Sequence, residues 1–205
     1  MFSSIDEAIQ DLRKGKCILI ADSADRENEI DIVIPAENIT EKIVTFMVRY
    51  STGILCVAIT DDRANELKLP LMVKNNTEKY SCAFTVSTDY KWGTTTGVSS
   101  RDRMLTIKNL SPSSQAIASD FTKPGHVFPL RAKTGGLFER NGHTEASLCI
   151  TKLSGFSEAA CVCELVNNNG TMCRVSDAID FIVTHNLKMI NIEELTNYIS
   201  SNYVK

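Results

Sequence analysis

The sequence predicts an α+β fold of the three-layer α/β/α type, a mixed twisted sheet flanked by helices, with residues 1–205 forming a single domain. Three observations predict it. Apolar residues at helical spacing alternate with short, continuous apolar runs that read as buried strands, which is the pattern of a layered α/β domain. The length allows one substantial core, and no stretch of the chain resembles a linker. Capping residues bracket the helical periods where a helix has to start or stop.

The elements follow in order. Ser4 caps a first helix, Glu7 completes a capping box, and Ile5, Ala8, Ile9 and Leu12 form its apolar stripe before Gly15 ends it. Residues 17–21 and 32–34 read as buried strands on either side of an acidic segment. Thr40 caps a second helix with Ile43, Phe46, Met47 and Tyr50 inward, stopping near Gly53. A strand at 54–59 follows, and Thr60 then caps a short polar helix through Leu67, closed by Pro70. Beyond Leu71 the alternation loosens into a polar stretch, a strand near residues 83–87, and Gly93-Thr94-Thr95-Thr96-Gly97. Ser99 or Ser100 caps the next helix, whose Arg101, Asp102 and Arg103 read as surface charges. Residues 111–136 read as a long irregular connection holding a short strand at Val127 and Phe128; loops of that length in compact domains are often functional. A helix through Ala146, Leu148, Cys149 and Leu153 ends at Gly155, and a strand follows at 160–166. Ser176 caps a helix along Ile179, Phe181 and Ile182, with His185 in a structural place near its end. A strand at 188–192 and a helix at 193–200 finish the chain.

Composition narrows the function classes. The net charge of −3, with acids and bases mixed along the chain, offers no basic stripe for a nucleic-acid backbone or an anionic membrane. No apolar run is long enough to span a bilayer, and the start has no signal-peptide pattern. The seven cysteines lack paired metal spacing and sit mostly among apolar neighbours, as small hydrophobes in a reducing cytoplasm do.

The chemistry concentrates at Asp25-Arg26-Glu27-Asn28-Glu29-Ile30-Asp31, between two buried strands. Extended, this segment puts Asp25, Glu27, Glu29 and Asp31 on one face; helical, it still puts Glu27 and Asp31 one turn apart. Carboxylates held that close raise one another's pKa unless a cation compensates, and a hard divalent ion with oxygen ligands suits them. A solvated acidic loop is the simpler reading unless a partner exists elsewhere. That partner is Arg140-Asn141-Gly142-His143-Thr144-Glu145, at a helix N-terminus. Free amides, the helix dipole, the Thr144 hydroxyl and the Arg140 guanidinium make a phosphate site, with His143 placed to ligate a metal nearby. Glu164 is a carboxylate in an apolar strand and has to be paired, protonated or facing a cavity, of which the cavity is favoured. His126, beside the Pro124-Gly125 turn, is held as a fixed acid or base would be. The threonines around Thr95 serve equally as a phosphate or sugar cradle or as a strand terminus, and Cys56 as a pocket wall or a packed thiol.

Together these motifs resemble the 3,4-dihydroxy-2-butanone 4-phosphate synthase family, almost end to end. The resemblance rests on Asp25-Arg26-Glu27-Asn28-Glu29 with Asp31, Thr94 to Ser99, Pro124-Gly125-His126, Pro129-Leu130-Arg131-Ala132, Gly142-His143-Thr144-Glu145-Ala146 and Cys163-Glu164-Leu165. It implies conversion of ribulose 5-phosphate into a four-carbon ketose phosphate and formate. It also implies Mg2+, with Mn2+ as the alternative, bound by Glu27 and His143. Arg26, Glu27, Asp31, Thr95, Arg140, Thr144 and Glu164 would then contact the sugar phosphate, and His126, Glu164 and Asp31 would divide the acid and base roles. A cytoplasmic homodimer with active sites near the interface is implied as well. Ser23 and Ala24 replace acids usual in the family, which predicts weaker cation attraction, and Ile30 replaces a frequent glycine, which predicts extended backbone there. The end at Lys205 predicts a single activity. Two other readings are a sugar-phosphate isomerase or lyase that releases no formate, and a nucleotide- or RNA-binding module of related fold.

Overall fold

The computed structural model describes residues 2–203. Its central strands are short apolar runs, as expected where both faces of a sheet are covered. They are β1 (Ile18–Ala21), β2 (Ile30–Pro35), β3 (Cys56–Ile59) and β6 (Ala159–Glu164). With β4 (Thr88–Tyr90), β5 (Phe121–Arg131) and β7 (Met189–Asn191) they build a sheet ordered β4-β5-β3-β6-β2-β1-β7. It is mixed: β3 with β5 and β1 with β7 run parallel, and the other neighbours antiparallel.

Alternation along the strands sends side chains into two cores. Leu19, Ile32, Val57 and Cys161 face one, with Met47 of α2 (Glu41–Tyr50) and Ile107 of α4 (Ser100–Leu110). Ile20, Val33, Cys56 and Val162 face the other, with Leu12 of α1 (Ile5–Arg13), Ile150 of α5 (His143–Leu153) and Leu195 of α7 (Ile192–Tyr203). Three layers result, as the sequence predicts. Ile18 and Ile20 are fully buried, so truncating either to alanine should cost about 2–5 kcal/mol.

The helix starts follow their caps. Ser4 and Glu7 form the capping box of α1, while Thr40, Thr60 and Ser99 cap α2, α3 (Asp61–Glu66) and α4 through their hydroxyls. Ile30 lies in β2 opposite Ala21, in the extended backbone expected of it. His185 packs against Phe46, Tyr50 and Phe181, a structural place.

Three elements depart from expectation. Residues 121–131, read as part of an irregular connection, form the long strand β5, because its first half pairs with β4 and its second half with β3. The strand expected near 83–87 is displaced to Thr88–Tyr90, and Phe84 and Thr85 make only isolated bridges. Ser176 does not cap α6 (Ile179–His185), which begins after Ala178 with no side-chain cap.

Candidate active site

The acidic segment is neither uniformly extended nor helical. It turns from residue 24 to 27, Asn28 takes a left-handed conformation that asparagine tolerates, and β2 begins at Ile30. Asp22 shapes the turn. Its carboxylate accepts from the Glu27 and Glu29 amides at 3.0 and 2.8 Å and from Arg26 Nη1 at 3.0 Å. Arg174 holds the far side, donating to the carbonyls of Glu27 and Asn28. Tyr80 holds the near side: its hydroxyl donates to the Arg26 carbonyl, and its ring lies 5.0 Å beneath the Arg26 guanidinium. None of Asp22, Tyr80 and Arg174 is singled out by sequence reasoning: Tyr80 and Arg174 act through backbone carbonyls far away in the chain, and Asp22 through a local turn whose shape the sequence pattern does not reveal.

His143 opens α5 and reaches this turn. Its Nε2 lies 3.1 Å from the Ile20 carbonyl, which can only accept, so Nε2 carries a hydrogen. Nδ1 then points toward Glu27, with Oε2 at 3.3 Å. Ligand atoms of Asp22, Glu27 and His143 all lie within 4.8 Å of one another. Burial lowers the His143 pKa, but Asp31, Glu27 and Asp22 outweigh it and push it up to about 9. Nδ1 therefore sits in a field that calls for a positive charge, which a cation supplies as well as a proton does. The orphaned, buried Asp31 Oδ1, 3.9 Å from Nε2, belongs to the same field. Imidazole nitrogen and carboxylate oxygen are a donor set that fits a divalent ion.

Beside it the N-terminus of α5 is open. The N-cap is Gly142, which has no side chain to satisfy the first amides. A Cβ at Gly142 would collide with Arg140 Nη1 and lie 2.8 Å from Arg26 Nη2, so two guanidinium groups converge on this helix end. Arg140 is fixed there by Glu145 Oε2 at 2.7 Å and by the Tyr80 carbonyl at 3.1 Å. Glu145 is buried, and its other oxygen accepts from the Lys133 amide at 3.0 Å. Two fixed cations, a helix end with no side-chain cap and the buried Thr144 are thus brought together at one point.

The floor is the sheet. Antiparallel register places Asp31 opposite Glu164, so the two carboxylates stand side by side on one face. Burial first, then Glu164, Glu27 and Glu29, push the Asp31 pKa up to about 7 against the pull of His143. Glu164 Oε2 accepts from the Thr52 hydroxyl at 2.6 Å. Arg26, Glu27, Asp31, Arg140, Thr144 and Glu164 all line one cavity of about 210 Å³, joined by His143 and Cys56. Glu164 thus faces a cavity, and Cys56 is part of its wall, with its thiol pKa pushed well above the ordinary value by burial.

His126 and Thr95 are not among the residues lining this cavity. Phe128 and Val162 both pair with Cys56, so His126 on β5 and Glu164 on β6 flank the beginning of β3 with that strand between them. The turn around Thr95 is occupied by the chain's own carboxylate: the Thr95 amide and hydroxyl and the Gly97 amide all bond to Asp102, at 2.7–3.1 Å. Asp102, read as a surface charge, is buried.

Against known proteins, the model of the 3,4-dihydroxy-2-butanone 4-phosphate synthase family matches residues 6–198. The chain belongs to this family. The 3,4-dihydroxy-2-butanone 4-phosphate synthase of Escherichia coli O1:K1 is 44% identical over 197 residues, 96% of this chain and 90% of that protein. Riboflavin biosynthesis protein RibBA of Endomicrobium trichonymphae is 45% identical over 97% of this chain and 49% of its own length, so the chain spans about half of the first curated relatives it matches. Among solved structures, a family member in complex with two magnesium ions superposes with a TM-score of 0.94 at 36% identity, covering 100% of both chains. The Candida albicans synthase superposes with a TM-score of 0.90 at 43% identity, covering 98% of this chain and 99% of that one. The family's layered fold is the fold described above.

Proposed function

We propose that this protein, acting as one catalytic domain, converts D-ribulose 5-phosphate into 3,4-dihydroxy-2-butanone 4-phosphate and formate in riboflavin biosynthesis. The observation that carries the reading is the pairing of an uncapped helix end, flanked by Arg26 and Arg140, with His143, the first residue of that helix, and the Glu27 carboxylate that reaches it from the acidic turn. A sugar phosphate needs an anion site for one end and an electrophile beside its ketone, and this cavity offers both.

Glu27 and His143 Nδ1 would hold magnesium, with manganese as the alternative, and Asp22 lies within reach of the same ion. When bound, the cation supplies Lewis-acid stabilisation of the charge that develops on the substrate's oxygens as an enediolate forms. The chain's own residues move the protons. With its pKa near 7, Asp31 both accepts and returns a proton at neutral pH, and Glu164 beside it provides the second carboxylate that successive transfers require. Together they remove the proton next to the ketone and assist departure of the terminal hydroxyl. Arg26, Arg140 and Thr144 anchor the phosphate throughout skeletal rearrangement and release of one carbon. His126 supplies a further acid or base. The terminal hydroxyl leaves as water and one water adds to the carbon that departs as formate, so substrate and products have the same overall composition and no oxidant or second organic substrate is needed.

A cytoplasmic homodimer with its cavities near the interface accords with exposed apolar side chains at Ile54, Trp92 and Val98. No helix among the described residues is long and apolar enough to cross a membrane.

The test is to incubate the purified protein with ribulose 5-phosphate and magnesium and follow formate. One formate per ribulose 5-phosphate, abolished by chelator and by Glu27→Gln, is expected. Substrate loss without formate would identify an isomerase or a different lyase, and undiminished turnover in chelator would remove the metal from the account.

A further inference from the structure

Outside the cavity, the strongest unassigned arrangement surrounds His126. Asp89 grips it twice: Oδ1 accepts from the His126 backbone amide at 2.8 Å, and Oδ2 lies 2.7 Å from the ring Nδ1. The Asp89 side chain is 11% exposed, whereas that of His126 is 48% exposed. The carboxylate is therefore shielded while the imidazole is presented outward. The backbone is shaped around the pair. A Cβ at Gly97 would collide with Asp89 Oδ2 and lie 2.9 Å from His126 Nδ1, and one at Gly125 would collide with the backbone of Thr88 and Asp89. Gly97 is itself held by Asp102 through its amide.

We propose that Asp89 is the positioning residue for His126: it fixes the imidazole as the tautomer with hydrogen on Nδ1 and so leaves the Nε2 lone pair as the working base. This rests on the reading that His126 serves the reaction proposed above. An ionised carboxylate can only accept, so a neutral ring facing it at 2.7 Å has its hydrogen on Nδ1, and the opposite nitrogen is bare. Replacing Asp89 by asparagine inverts this. The His126 amide still needs an acceptor, which keeps the asparagine carbonyl on that side and turns its NH2 toward Nδ1. Nδ1 must then accept, and the ring hydrogen moves to Nε2, where it removes the base.

The experiment combines kinetics with nitrogen NMR of histidine-labelled protein, the His126 signals being assigned by their loss in His126→Ala. Wild-type protein should show Nδ1 protonated and Nε2 bare in the neutral ring. Asp89→Asn should show the reverse, with kcat lowered by about 100-fold or more, the usual scale of acid–base catalysis. KM and magnesium affinity should change by less than about threefold, because Arg140 and His143 are untouched. Two results would overturn the proposal: a wild-type spectrum with hydrogen on Nε2, which needs no variant to fold, or near-normal kcat in Asp89→Asn while His126→Ala is inactive. Full activity in His126→Ala would overturn the role of His126 in the reaction, a failure the ring-nitrogen spectrum separates from failure of the pair itself.

Discussion

Two helix N-termini in this molecule look alike in sequence and differ in what they can bind. Both α4 and α5 are preceded by a turn with glycine and threonine nearby, and both carry an acid at the third helical position, Asp102 and Glu145. Before α4, Ser99 caps the helix and Asp102 folds back onto the Thr95 and Gly97 amides, so the turn binds its own carboxylate. Before α5 the cap is Gly142, and Glu145 swings away to Arg140 and the Lys133 amide. The acid then recruits a cation to the helix end and leaves the amides open. The proposed difference in anion binding comes down to which way one buried carboxylate turns.

The largest expected effect comes from filling the open end. Gly142→Ala places a methyl group against both guanidinium groups, and kcat/KM for the sugar phosphate should fall on the order of 100-fold or more, since a charged hydrogen bond contributes about 1.5–3 kcal/mol. Unchanged kinetics would show that the phosphate binds elsewhere. Glu145→Gln keeps the shape and removes the charge that orients Arg140. A rise of roughly tenfold in KM, with kcat less affected, is expected from loss of one charge-assisted contact. Asp102→Asn should leave KM nearly unaltered and cost roughly 1–2 kcal/mol of stability, read by denaturant unfolding. Burial opposes the Asp102 charge, but donors from Thr95 and Gly97 outweigh it and hold its pKa below the ordinary value. That contribution is present above the unfolded carboxyl pKa and disappears as pH falls through the lower folded one, so the variant and wild type should converge in strong acid. A large KM change in Asp102→Asn would erase the distinction between the two helix ends.

The sequence carries the α5 site legibly because its pieces are local: Arg140, His143 and Thr144 lie within five residues, and their helix start is marked by the apolar period that follows. Asp31 and Glu164 are legible as acids among apolar strand residues, though their pairing is set by register between strands far apart in the chain. Asp89 and Tyr80 leave no such mark. Asp89 is one more polar residue in a loosely patterned stretch, and its meaning comes from a bulged pairing between β4 and β5 that periodicity does not encode. β5 itself was hidden for a related reason, since Lys123-Pro124-Gly125 inside it reads as a turn until strands on either side are seen to accommodate it.

The central claim is that cation and phosphate meet at the start of α5. A crystal grown with manganese and ribulose 5-phosphate, measured for anomalous scattering, tests it most directly. The account predicts a manganese peak between Glu27 and His143 Nδ1, with the phosphate beside Gly142 in contact with Arg26 and Arg140. A peak away from both ligands, or a phosphate seated on the Thr95 turn in place of Asp102, would contradict it.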